Sequence, residues 1–251
     1  MPFTLIAHRG FSSQAPENTF EAFDLALENG FSNFELDAQP SSDGVPVVIH
    51  DGVLDRTTSG SGPVGGATLA ELKALDAGSW FGDGKAYAGV KIPTLEEVLL
   101  RYADRAHIHL ELKSMEPELP AKVAALLIAT GWLNVADSDE FGVPGLTVTS
   151  FHIDQLHRSR RVLPPNVRHG WLLRAIDDTT LDLAGYVGVN GVYPRAATAT
   201  AESVKDALSL GHSVRGWGVS GPDDIRRLVE AGAQGTTVDW PDEAARILRE
   251  V

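Results

Sequence analysis

Glu35-Leu36-Asp37 sets two carboxylates two residues apart inside an apolar run. Alternate side chains of a β-strand share a face, so Glu35 and Asp37 point one way and Leu36 the other. His109-Leu110-Glu111-Leu112-Lys113 repeats the device and puts His109, Glu111 and Lys113 on one face. Inward carboxylates are costly to desolvate without a cation or strong donors. The chain has no cysteine, so three such acids on neighbouring strands suit a hard, oxygen-liking cation. Mg²⁺ or Ca²⁺ fits better than a thiophilic metal. The competing reading is an inward salt-bridge network in which Glu111 pairs with Lys113 or Arg9.

Two histidines stand at the ends of apolar runs: His8 in Ala7-His8-Arg9-Gly10 and His50 in Ile49-His50-Asp51. Histidine titrates near neutrality, so a pair can supply one general base and one general acid. Taken singly, each is more often a satisfied structural residue; flanking an acidic cluster, the two become candidates for catalysis. His107, His152, His157, His169 and His212 have no comparable context, and His109 lies deeper along its strand as a core histidine. Arg9 and Lys113 add positive charge beside the acids, and an arginine fork suits phosphate oxygens. Lys113 could also serve simply as partner to Glu111. Asn18 opens Asn18-Thr19-Phe20-Glu21, which reads as a capping box at the start of a helix. Phe151, Tyr193, Trp217 and Trp240 close later strand-like runs, where they could pack against an alcohol or simply against their neighbours.

These residues need a frame. Strand-like runs at Thr4–His8, Phe34–Ala38, Ile108–Leu112, Leu146–Phe151, His169–Leu173, Gly191–Tyr193, Ser213–Val219 and Gly235–Asp239 each precede a helical pattern. The helical patterns are Asn18–Glu28, Thr94–Ala103, Leu119–Ile128, Ile153–Val162, Asp178–Ala184, Ala201–Leu210, Pro222–Ala231 and Asp242–Arg249. Such alternation implies a parallel sheet, and eight pairs in 251 residues imply an α/β fold closed as a (β/α)8 barrel. A doubly wound open sheet competes, but no Gly-rich dinucleotide turn follows the first strand. Asp43-Gly44 between two apolar runs signals a hairpin, so Val45–His50 folds back antiparallel beside the second strand. The stretch from about 51 to 93 then reads as an insertion into one domain spanning 1–251, carrying a short helix at Leu69–Leu75. It is either a functional segment, such as a lid or substrate wall, or a plain surface excursion.

Charge and composition narrow the function. Lys and Arg total 21 against 34 Asp and Glu, a net charge of −13, which speaks against a nucleic-acid partner. With 43% apolar and 22% charged residues the chain can bury a core. No apolar stretch reaches the roughly 20 residues that span a bilayer. Met1-Pro2-Phe3-Thr4 lacks a basic secretory leader, so a cytoplasmic location is expected.

The chain resembles the glycerophosphodiester phosphodiesterase family. The resemblance rests on His8-Arg9-Gly10, Glu17-Asn18-Thr19, Glu35-Leu36-Asp37, Asp43-Gly44 with Pro46–Asp51, and Asp55-Arg56-Thr57-Thr58. It continues through Leu75–Phe81, Ile92–Glu97, Glu111-Leu112-Lys113, Ser150-Phe151, Trp217 and the last strand before Pro241. Each motif is weak alone, but the ordered set covers nearly the whole chain. The resemblance implies a TIM-type barrel with an insertion after strand two, and one divalent cation held by Glu35, Asp37 and Glu111. It also implies acid–base catalysis by His8 and His50, phosphate held by Arg9 and Lys113, and a pocket lined by Asn18 and Trp217. Ala38–Ser42, Gly218 and Thr236-Thr237-Val238 depart from the family pattern.

The expected reaction is metal-dependent hydrolysis of a small glycerophosphodiester to glycerol 3-phosphate and an alcohol. A related barrel acting on lysophospholipids or other phosphodiesters, phospholipase D-like, is the nearest rival; a product assay on lysophosphatidylcholine against glycerophosphocholine separates them. A non-catalytic phosphoester-binding barrel would bind without turnover. A lyase using Lys113 as a Schiff base would be trapped by borohydride.

Overall fold

The computed structural model describes residues 3–134 and 141–250; Met1, Pro2 and Val251, at the ends of the expected domain, lie outside them. Nine strands run β1 (Thr4–Ala7), β2 (Asn33–Pro40), β3 (Pro46–Val48), β4 (His107–Leu112), β5 (Gly145–Ser150), β6 (Arg168–Leu173), β7 (Gly191–Pro194), β8 (Ser213–Gly216) and β9 (Gly235–Val238). The helices are α1 (Phe20–Glu28), α2 (Leu69–Ala74), α3 (Leu95–Tyr102), α4 (Leu119–Ala129), α5 (Ile153–Val162), α6 (Asp178–Val187), α7 (Ala201–Ser209), α8 (Pro222–Glu230) and α9 (Pro241–Leu248). Around the sheet the order is β1-β9-β8-β7-β6-β5-β4-β2, and β1 pairs with β2 to close it. All eight pairings are parallel, and helices lie between successive strands: the fold is a (β/α)8 barrel.

Strand alternation sorts the residues by polarity. Phe34, Leu36 and Ala38 of β2, with Ile108, Leu110 and Leu112 of β4, join Phe23, Leu99, Tyr102 and Val123 in the apolar layer between barrel and helices. The intervening residues of these strands, Glu35, Asp37, His107, His109 and Glu111, are also buried. They share the opposite face, which is the barrel interior. Register pairs Glu35 with His109 and Asp37 with Glu111, so the two acidic strands are aligned level by level.

β3 pairs antiparallel with β2, Ala38 opposite Val48 and Pro40 opposite Pro46, as the Asp43-Gly44 turn predicts. The following segment carries α2 and a small core of Val47, Ile49, Leu54, Val64, Leu72, Ala77 and Ile92. It is tied to the β1–α1 loop by Tyr87, whose hydroxyl donates to the Gln14 carbonyl at 2.9 Å, and by Arg56, which donates to Glu17 at 2.7 and 2.8 Å.

Two local expectations change. The α1 cap is Thr19, whose hydroxyl accepts the Ala22 N–H, and Asn18 is not the cap. Asn18 has φ 59° and turns its amide inward toward β2, because Asp37 offers it a stronger partner than the helix end does. β8 stops at Gly216 instead of running to Val219, and Gly218 has φ 66°, a left-handed turn that ends the extended run.

Candidate active site

The three acids meet at the C-terminal mouth of the barrel. Glu35, Asp37 and Glu111 are buried, and one carboxylate oxygen from each lies within 4.8 Å of the other two. Asp37 is the most fully held. Asn18 Nδ2 donates to its Oδ2 at 2.8 Å, and the Asp37 N–H donates back to Asn18 Oδ1 at 3.2 Å. Arg9 Nε and Lys113 Nζ each stand 3.3 Å from it. Lys113 donates to Glu111 Oε1 at 2.8 Å, and the Arg9 backbone N–H donates to Glu35 Oε2 at 3.1 Å. The inward salt-bridge network therefore exists, but it leaves a remainder. Glu35 Oε1 and Asp37 Oδ1 are buried and accept no hydrogen bond, the Lys113 contact to Asp37 being an ion pair without hydrogen-bond geometry. Buried oxygens without donors are what a cation would satisfy.

The electrostatics follow from this packing. Burial, reinforced by the Asp37 charge, pushes the Glu35 carboxyl up to about 8. Burial and Asp37 raise Glu111 as well. Burial works against the ionised form of Asp37 too, yet Lys113, Arg9 and the Asn18 hydrogen bond together hold its carboxyl below the ordinary range. Two cations thus favour the charged form of Asp37, while burial disfavours charge on Glu35 and Glu111.

Both histidines are backed by a carboxylate. His8 Nδ1 lies 2.6 Å from Asp239 Oδ1, and His50 Nδ1 lies 2.6 Å from Asp51 Oδ1. A carboxylate only accepts, so each Nδ1 is assigned the proton, which leaves each Nε2 for other chemistry. His8 Nε2 lies 3.9 Å from Glu35 Oε2. Burial disfavours charge on His8, but the Asp239 hydrogen bond and Glu35 outweigh it and raise its pKa. Burial, with Arg9 and Lys113 nearby, lowers that of His50.

Behind His50 a chain of ion pairs runs back to the acids. Arg56 forks onto Asp51 at 2.7 and 2.9 Å and onto Glu17, and Glu17 accepts from Arg9 Nη1 at 2.8 Å. Gln39 Nε2 donates to the His50 and Asp51 carbonyls at 2.7 Å each. Arg9 has φ 57° and Gly10 φ 80°; a Cβ on Gly10 would stand 2.6 Å from the Ala22 carbonyl carbon, so α1 presses this turn against β1.

A cavity of about 360 Å³ opens over this set, lined by His8, Arg9, Glu35, His50, Glu111 and Lys113 on one side and by Phe151, Arg215 and Trp217 on the other. The Phe151 and Trp217 rings meet edge to face at 4.9 Å, and Lys113 Nζ lies 5.5 Å from the Phe151 centroid. Asn18 is not among the lining residues: it sits behind Asp37. No residue of 51–81 or of the rest of the insertion lines the cavity either, so the insertion braces the site through Asp51 and Arg56. Asp51, Arg56, Asp239, Thr149 and Arg215 were not singled out by residue type and spacing. Asp51 follows His50 directly, and Asp239 follows the last residue of β9, which neighbours β1; those were the available signals.

A parallel (β/α)8 barrel here carries two carboxylate-backed histidines and an acidic cluster at its C-terminal mouth, the face on which barrel enzymes place their active sites. The chain belongs to the Glycerophosphoryl diester phosphodiesterase family, whose profile matches residues 8–243. It is 35% identical over 251 residues to a glycerophosphodiester phosphodiesterase of Bacillus subtilis, covering 94% of this chain and 83% of that one. It is 33% identical over 251 residues to a glycerophosphodiester phosphodiesterase of Caldanaerobacter subterraneus, covering 100% and 99%. An Oleispira antarctica phosphodiesterase solved with the product sn-glycerol-3-phosphate superimposes with a TM-score of 0.86 at 30% identity, covering 98% of this chain and 96% of that one.

Proposed function

We propose that the barrel, as one catalytic domain, hydrolyses glycerophosphodiesters such as glycerophosphocholine or glycerophosphoethanolamine to glycerol 3-phosphate and the free alcohol. One observation carries the reading: two histidines, each anchored through Nδ1 to a carboxylate, flank three buried acids that retain two unpartnered oxygens. The family membership and the product bound to the Oleispira relative support the same substrate class.

Glu35, Asp37 and Glu111 would hold one divalent cation, Mg²⁺ or Ca²⁺, since their donors are hard oxygens. Such a cation supplies charge for the phosphoryl oxygens. Arg9 and Lys113 bind the phosphate from the protein side and offset the charge that builds on it. One histidine Nε2 takes the proton of the nucleophile, and the other gives a proton to the departing alkoxide; the nucleophile is water, or the glycerol hydroxyl beside the phosphate followed by water opening the cyclic phosphate. Asn18 holds Asp37 in place, and Trp217 and Phe151 wall the alcohol.

The test is product release under chelation. Excess chelator should abolish formation of glycerol 3-phosphate, and Mg²⁺ or Ca²⁺ should restore it; unaffected turnover sinks the metal role.

A further inference from the structure

The cations of the site are paired: Arg9 with Glu17 and Asp37, Lys113 with Glu111 and Asp37. Arg215 is the exception. It is 1% exposed, yet among the described residues its Nε, Nη1 and Nη2 have no hydrogen-bond partner. Its guanidinium carbon lies 4.2 Å from the Tyr193 ring centroid, a contact that supports a cation but satisfies none of its N–H groups. The Thr149 hydroxyl, fully buried, is likewise unpartnered. Both side chains line the same cavity as the acids.

Arg215 stands apart from the acids, whereas Thr149 sits on β5 beside Glu111, on the facing wall. In the closed order of eight strands, β8 lies four strands from β4 in either direction, so Arg215 faces the wall that carries Glu111. Arg215 lies on β8 and Trp217 just past its end; both line the cavity, with Arg215 one step deeper. A guanidinium keeps its charge when buried and is strongly disfavoured without an anion. Water could fill its donors but not neutralise it. An oxyanion does both, and the Thr149 hydroxyl can donate to the same group.

We propose that Arg215 and Thr149 form a second oxyanion subsite on the cavity floor, taking a carboxylate or phosphate carried by the alcohol half of the substrate. The proposal rests on the phosphodiesterase reading above and narrows it: diesters with an anionic alcohol are the favoured substrates.

Glycerophosphoserine and glycerophosphoethanolamine differ by one carboxylate and make a matched pair. Arg215→Met is expected to lower the ratio of their kcat/KM values, serine over ethanolamine, about ten- to a hundredfold, the size of one lost charged hydrogen bond. Arg215→Lys should recover part of that ratio, and Thr149→Val should lower it by a smaller factor. An unchanged ratio in Arg215→Met, with both diesters still hydrolysed, overturns the subsite and leaves the phosphodiesterase reading standing. If the native enzyme hydrolyses neither diester, that reading fails separately. Calorimetric titration with O-phosphoserine against O-phosphoethanolamine then decides the subsite: weaker phosphoserine binding by Arg215→Met alone supports it, and equal binding overturns it. Where Arg215→Met does not fold, Arg215→Gln and Thr149→Val carry the same comparisons.

Discussion

Asp239 and Asp51 set which nitrogen of His8 and of His50 is left free, because each carboxylate accepts the Nδ1–H hydrogen bond at 2.6 Å. An asparagine in place of either aspartate can donate through its amide and so favour the opposite tautomer. Asp239→Asn and Asp51→Asn are therefore expected to lower kcat with KM little changed. His8→Ala and His50→Ala, which remove the acid–base group itself, should each lose about 10²- to 10⁴-fold in kcat. Steady-state rates of glycerol 3-phosphate release measure all four. A near-native kcat in either alanine variant removes that histidine from the mechanism. These aspartates were hard to read in the sequence, where Asp51 looks like part of a turn and Asp239 like the end of a strand. The contact of Asp239 with His8 spans 231 positions and exists only once the barrel has closed.

At the scale of elements, period-two alternation made β2 and β4 legible, and with them Glu35, Asp37 and Glu111, because both faces of each strand had distinct chemistry. The α1 start was misread because Asn18 and Thr19 are both good caps, and the choice between them is made by Asp37, which lies in another element. Arg215 stayed hidden in a run of small and apolar residues, as inward and outward faces of β8 do not differ clearly in sequence. His169 on β6 illustrates how an element can carry a pH dependence. Its ring is fully buried, with Nδ1 2.9 Å from the Val167 carbonyl and Nε2 2.9 Å from the Ser159 hydroxyl. The carbonyl can only accept, so Nδ1 bears the proton and Nε2 accepts from Ser159, an arrangement made for the neutral ring. Burial accordingly lowers its pKa from 6.5 to about 4. The unfolded chain binds this proton first, so the contribution is complete above pH 6.5 and is lost as pH falls through 4. The loss amounts to about 3 kcal/mol. Urea unfolding at pH 7.5 and pH 4 should show native protein losing that much more than His169→Leu. Equal losses would mean that His169 does not titrate in this way.

Considered as a whole molecule, the protein sets a net charge of −13 against a substrate class whose phosphodiester group is anionic. The attractive charges, Arg9 and Lys113, are mostly buried among acids at the cavity wall, with side-chain exposures of 15% and 20%. Their field is spent within the site, whereas the acidic excess lies largely on the surface and acts over the screening length. That length is about 10 Å at 0.1 M salt and about 30 Å at 0.01 M. An incoming diester of net negative charge therefore meets repulsion at a distance and attraction only on entry. Raising ionic strength from 0.01 to 0.15 M should increase kcat/KM for a diester of net negative charge by a few-fold, chiefly through association, and leave a zwitterionic one such as glycerophosphocholine nearly unchanged. The opposite sign, a steep fall with salt for the anionic diester, would mean that the cations at the mouth steer substrate from solution. Comparing the two substrates in one salt series separates this long-range effect from any influence of salt on the fold, which would move both together.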